Sequence, residues 1–142
     1  MSSKKISPAD KAASNTDEQS FRRMFESDPE IMLLIEPISG FILDANPVAV
    51  NFYGYSKSQL CGMSINEINT MSPAQIVAER QRALHEERNY FVFPHKLAGG
   101  EERIVEVYSS PITLHEQQLL FSIIHDITDH KPLENIMWVR SN

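Results

Sequence analysis

The chain has 142 residues, 42% of them hydrophobic, a formal net charge of -6 and a single cysteine, Cys61. That length suits one domain with a core of ordinary size, and its interleaved charges make no basic stripe, so nucleic acid is not the expected partner. One thiol forms neither an internal disulfide nor a metal cage, no apolar run nears the roughly 20 residues of a membrane span, and no secretory signal opens the chain, so a soluble cytoplasmic protein is expected.

Residues 1–19 are polar and short of large apolar side chains, and read as a flexible leader. Phe21, Met24 and Phe25 then recur at helical spacing, which predicts a short amphipathic helix needing a partner surface: a cap on the domain or a dimer contact. Residues 31–36 and 41–44 are strand-forming runs on either side of Pro37-Ile38-Ser39-Gly40, a turn of hairpin length. Asn46 is placed to N-cap a helix with Pro47 in its first turn, and Gly54 to end it. Residues 56–60 and 64–68 each open on a serine cap and predict short helices over one end of the sheet. Ser72-Pro73 starts a longer connector helix reaching about residue 85, with Ile76, Ala83 and Leu84 as its apolar face. From Tyr90 the period changes to two: Phe91, Phe93, His95 and Leu97 share one face of a strand that ends at Gly99-Gly100. Residues 103–114 and 117–128 complete a three-strand meander.

Asp44-Ala45-Asn46 followed by Phe52-Tyr53-Gly54-Tyr55, and the closing His125-Asp126-Ile127-Thr128-Asp129-His130-Lys131, resemble the entry and exit of a PAS sensor domain. Residues 87–97 with Gly100-Glu101, Val105-Glu106-Val107 and Ser110-Pro111-Ile112 are similar to PAS modules found upstream of diguanylate cyclases and sensor histidine kinases. The resemblance covers 21–131 and implies an α+β PAS fold. That fold has a five-stranded antiparallel sheet, with short helices and one long connector helix on one face and the N-terminal helix as a cap. The expected organisation is a leader, 1–19, a PAS domain, 20–131, and a C-terminal tail or truncated linker, 132–142, in which Trp138 is a candidate docking anchor. The resemblance further implies a non-catalytic module that detects a small ligand, or simply dimerises, and signals to a downstream effector. Asp126, Ile127 and Thr128 would be its mechanical exit.

Candidate pocket residues on the concave face are Phe52, Ile68, Phe91, Phe93, His95 and Phe121, with plain core filling as the competing account. In the last strand Leu119, Phe121 and Ile123 point one way while Leu120 and Ile124 point the other, so both faces need cover. The short helices cover one, and the second requires the N-terminal helix or another copy, from which a homodimer is expected. Among cofactors, flavin photochemistry needs a cysteine motif that Cys61-Gly62-Met63-Ser64 does not supply. Haem would need an axial ligand such as His85, which sits among Glu86, Glu87 and Arg88 as a solvated helix end. Neither cofactor is expected, and an unknown small molecule stays open. A ligand-free homodimerisation domain is the second reading. A metal-dependent phosphohydrolase of the HD type, using His125 and Asp126 with Asp129 and His130, is the third. A strand would send that dipeptide to opposite faces.

Overall fold

The computed structural model describes residues 8–130, with side chains over 17–129; the tail 132–142 and Trp138 lie outside these. The elements are α1 (Pro8–Ser27), β1 (Ile31–Ile35), β2 (Ile42–Ala45), α2 (Pro47–Tyr53), α3 (Lys57–Leu60), a 3-10 turn at Ile65–Glu67, α4 (Pro73–Leu84), β3 (Tyr90–Lys96), β4 (Glu102–Leu114), β5 (Gln117–Asp126) and a second 3-10 turn at Thr128–His130. The first helix is longer than its apolar spacing suggested. Residues 8–19, expected as a flexible leader, continue it, because Ala9, Ala12 and Ala13 are strong helix formers and Pro8 is tolerated in a first turn.

The five strands form one antiparallel sheet in the order β2-β1-β5-β4-β3, so the last strand lies at its centre, paired to the first through Ile31↔Ile124 and Leu34↔Phe121. A two-residue turn at His115 and Glu116, both at positive φ (51° and 63°), joins β4 to β5; its twist matches the strands without the usual Asn-Gly.

Alternation along the strands makes two unlike faces. Leu33, Ile35, Phe91, Phe93, Val105, Val107, Leu120 and Ile124 face α2 and α4 in the main core, while Met32, Leu34, Phe121 and Ile123 pack under Phe21, Met24 and Phe25 of α1. The outer face is therefore covered within the chain, and the case for a second copy built on a bare apolar face loses its premise.

Asn46 ties the two layers. Fully buried, its Oδ1 accepts from Ala49 N (3.0 Å), capping α2, and from Met32 N (3.1 Å), while Nδ2 donates to the Glu30 carbonyl (2.7 Å). Gly54 ends α2 at φ 84°, where a side chain would be strained and its Cβ would come within 3.3 Å of Ala98. Ser56 and Ser64 each close a capping box, with Gln59 and Glu67.

Candidate functional site

Between the inner face and α4 lies a cavity of about 50 Å³. Strand positions spaced by two supply its floor: Leu33 and Ile35 from β1, Phe91, Phe93 and His95 from β3, Val107 and Ser109 from β4, and Leu120, Ser122 and Ile124 from β5. The roof comes from Ile76, Glu79, Arg80 and Ala83 on α4, with Ile65 and Asn69 at one end. Such a space holds a few waters or a molecule of about four non-hydrogen atoms. It is far below the roughly 300–1,000 Å³ of a drug-sized site.

Three flat rings run along β3. Phe91 and Phe93 stack at 5.5 Å and 9°, and Phe93 and His95 at 6.2 Å and 7°. His95 is 2% exposed, and burial pushes its imidazole down to about 3, so the ring is neutral at physiological pH. Its Nδ1 lies 2.9 Å from the hydroxyl of Tyr53, a fully buried residue whose phenol burial pushes up and keeps protonated. Among the described residues, His95 Nε2 is the buried side-chain polar atom with no protein partner.

Most other polar groups at the cavity are already occupied. Arg80 donates from Nε to the Pro37 carbonyl (2.8 Å) and from Nη2 to that of Ile38 (2.9 Å), clamping α4 to the β1–β2 turn. Gly40 makes room for it: a Cβ there would stand 2.6 Å from Arg80 Nη1. Glu79 accepts from Arg82 (2.8 Å) and pairs with Arg88 (3.5 Å). Ser109 and Ser122 are opposite residues on β4 and β5, and their hydroxyls share a buried 2.8 Å hydrogen bond.

A second constellation closes the far end of β5. Asp126 Oδ2 accepts from Arg103 Nε (2.9 Å) and Nη2 (2.7 Å), and Oδ1 from the Thr128 hydroxyl (2.6 Å) and amide (3.1 Å). The Thr128 oxygen accepts from Ile104 N (2.8 Å), and Ile127 N donates to the Ile104 carbonyl (2.9 Å). Desolvation pulls the Asp126 carboxyl up, but the bonds from Thr128 and Arg103 outweigh it and hold the group below its ordinary value. The end of β5 is thus hooked onto the start of β4.

A third constellation fastens α1. Asp44, at the end of β2, accepts from Arg22 and pairs with Lys57 at 3.1 Å; Lys57 also pairs with Glu26 at 3.8 Å. Desolvation raises the Asp44 carboxyl, and the hydrogen bonds from Arg22 and Lys57 more than offset it.

Of the six pocket candidates, Phe91, Phe93 and His95 line the cavity. Phe52 and Ile68 are core neighbours outside the lining: Phe52 packs edge-on to Tyr53 at 4.9 Å, and Ile68 is fully buried while its carbonyl accepts from Lys96 N at 2.8 Å. Phe121 requires a correction. It lies on the outer face, edge-on to Phe21 at 5.4 Å, because a period of two puts it opposite its neighbours Leu120 and Ser122. The phosphohydrolase reading finds no support: His125 bonds to Glu30 and Asp126 to Arg103, and among the described residues no group of His, Cys, Asp and Glu is placed to hold a metal ion. Tyr53, Asn69, Arg80, Ser109, Ser122 and Arg103 were not foreseen. For the serines the signal was present, since each interrupts an apolar alternation (Val105, Val107, Ser109 and Leu120, Ser122, Ile124).

Comparison with known proteins agrees with this architecture. The chain is 38% identical over 119 residues to the diguanylate cyclase DgcM of Escherichia coli K12, covering 80% of this chain and 28% of that protein. It is 28% identical over 118 residues to the methyl sulfide methyltransferase-associated sensor of Methanosarcina acetivorans, covering 82% of this chain and 12% of that one. The chain thus spans less than a third of the curated relatives it matches. Among solved structures, the PAS domain of an HTR-like protein from Haloarcula marismortui superposes with a TM-score of 0.68 at 22% identity, over 82% of this chain and 98% of that one. The PAS fold family matches residues 25–132, and with sheet order, helices and this match in agreement, the chain belongs to the PAS family of sensory domains.

Proposed function

We propose that this domain is the sensory input module of a larger signalling protein, taking a small molecule into the cavity under α4 and passing its state along β5 to an effector. The observation that carries this reading is the cavity between sheet and α4 with a neutral, unpartnered histidine nitrogen in its lining. Ser122, Ile124 and Asp126 alternate along one strand, so a guest that shifts the first two pulls on the Arg103–Asp126–Thr128 hook. Similarity to a diguanylate cyclase favours an effector of that class, with catalysis residing outside this domain. A single free cysteine supports a cytoplasmic setting, and among the described residues no helix is long and apolar enough to cross a membrane. Homodimerisation belongs to the same proposal, with the side of α1 turned away from the sheet as the shared element.

The small cavity volume favours one rival, a domain that dimerises constitutively and holds no ligand. Native and denaturing mass spectrometry of the chain purified without supplements, together with its absorption spectrum, separate the two. A small mass lost on denaturation supports the sensory reading, a clean apo dimer supports the rival, and a monomer removes the dimer from both.

A further inference from the structure

We infer that the cavity selects a small uncharged molecule carrying one hydrogen-bond acceptor of the carbonyl type, which takes its hydrogen bond from His95 Nε2–H. This deepens the sensory reading above and rests on the cavity being a ligand site.

The tautomer follows from counting protons. Tyr53 and His95 are both buried, and the 2.9 Å contact between the hydroxyl and Nδ1 needs one proton between them. If Nδ1–H donated, the phenolic hydrogen would be stranded and Nε2 would be a bare lone pair, leaving two buried groups unmet. If Tyr53 donates to Nδ1, the imidazole proton sits on Nε2 and a single donor is left over. That nitrogen belongs to a cavity-lining residue, while Tyr53, on the Nδ1 side, lies outside the lining.

Charge follows from what the lining already holds. The Arg80 guanidinium is spent on the carbonyls of Pro37 and Ile38, Glu79 on Arg82 and Arg88, and one serine hydroxyl donates to the other, whose own hydrogen stays free but carries no charge. An ionic guest would lose its hydration with no free counter-charge to meet it. A neutral guest with one acceptor suits His95 Nε2, the one buried side-chain atom without a protein partner among the described residues, beside the Asn69 amide and the spare serine hydrogen, and the rest of its surface meets Phe93, Val107 and Ile124. The size, about four non-hydrogen atoms, is that of a short ketone, aldehyde or related carbonyl compound.

The test compares acetone with 2-methylpropene, the same shape with the oxygen replaced by a methylene, on the ¹⁵N-labelled 142-residue chain. Amide shifts of Phe93, His95, Ser109 and Ser122 report occupancy, and long-range ¹H–¹⁵N correlations report the His95 tautomer without any variant. The expected result is an Nε2–H tautomer, saturable acetone binding at millimolar concentration, and at least about tenfold weaker binding of the hydrocarbon. In His95→Phe the preference for acetone should vanish while the hydrocarbon still enters. Equal binding of both probes to the unmodified chain, or an Nδ1–H tautomer, would overturn the acceptor inference and leave the cavity as a ligand site. If neither probe shifts those amides, the carbonyl-acceptor inference is overturned, while a small mass lost on denaturation in the mass-spectrometric test above would still support the sensory reading.

Discussion

The two faces of the sheet are made from the same alternating strands, yet they are packed for different ends. Under α1, Phe25, Met32 and Leu34 are all but fully buried, and Phe21, Phe121 and Ile123 complete an apolar layer with the buried Asp44 at its β2 edge, bound to Arg22 and Lys57. Under α4, the apolar layer is interrupted by Asn69, His95, Ser109 and Ser122, all buried, around a cavity. A dry face maximises burial, at about 1.5–3 kcal/mol for each large side chain. The α4 face gives up part of that to bury polar groups, each of which needs a hydrogen-bond partner to offset its lost hydration. The difference teaches that apolar cover and buried polar groups are concentrated on opposite faces, with Asn46 and the central strand β5 joining them.

The largest way to break this division is Phe25→Ala. Phe25 has no exposed surface, so truncation should cost about 3–5 kcal/mol, read as a lower urea midpoint. Acetone binding per folded molecule should hardly change, and a large loss would show that the faces are not independent.

His95→Phe sharpens the comparison from the other side. The neutral ring titrates near 6.5 when unfolded and about 3 when folded, so the unfolded chain binds the extra proton first. The stability of the neutral form is fully present above pH 6.5 and is lost as pH falls towards 3, reaching about 2 kcal/mol at pH 5. Asp44 and Asp126, held below their ordinary values, lose their contribution only at lower pH, as pH falls through their folded values. Urea unfolding at pH 7 and pH 5 should therefore show a drop in the unmodified chain that is smaller in His95→Phe by about that amount. An unchanged drop would mean that the acid sensitivity lies elsewhere.

Gly40→Ala attacks the clamp over the cavity. At φ 80° a side chain is strained, and its Cβ would press on Arg80, so about 1–3 kcal/mol should be lost and α4 amides should exchange faster than those of α1. Thr128→Val is the mildest. Removing the hydroxyl that links Asp126 to Ile104 should cost about 1 kcal/mol, with faster hydrogen exchange confined to Ile104 and Ile127. Exchange spreading to Ser122 and Ile124 would sharpen the proposed route along β5.

Much of the architecture was legible in local chemistry. Asn46 with Pro47, Gly54, the serine caps at 56, 64 and 72, and the strict alternation from Tyr90 each satisfy or terminate a backbone within a few residues, so the strands and short helices stand where those signals put them. Alternation also separated Leu120 and Ile124 from Phe121 and Ile123. It could not say which set faced the cavity, and Phe121 was therefore placed on the wrong side. The length of α1 was missed because alanine favours a helix through backbone propensity and leaves no apolar stripe to read.

What the sequence determined by itself is the set of elements, their caps and the PAS resemblance, because these depend on interactions a few residues apart. Only the tertiary structure decided the site. Tyr53 meets His95 across 42 positions, Arg80 reaches Pro37 across 43, and Arg103 reaches Asp126 across 23. Such partners are chosen by sheet order and by the way α4 lies over the strands. His95 becomes the neutral, half-satisfied group in a cavity because the fold removes water from it and gives it a single partner.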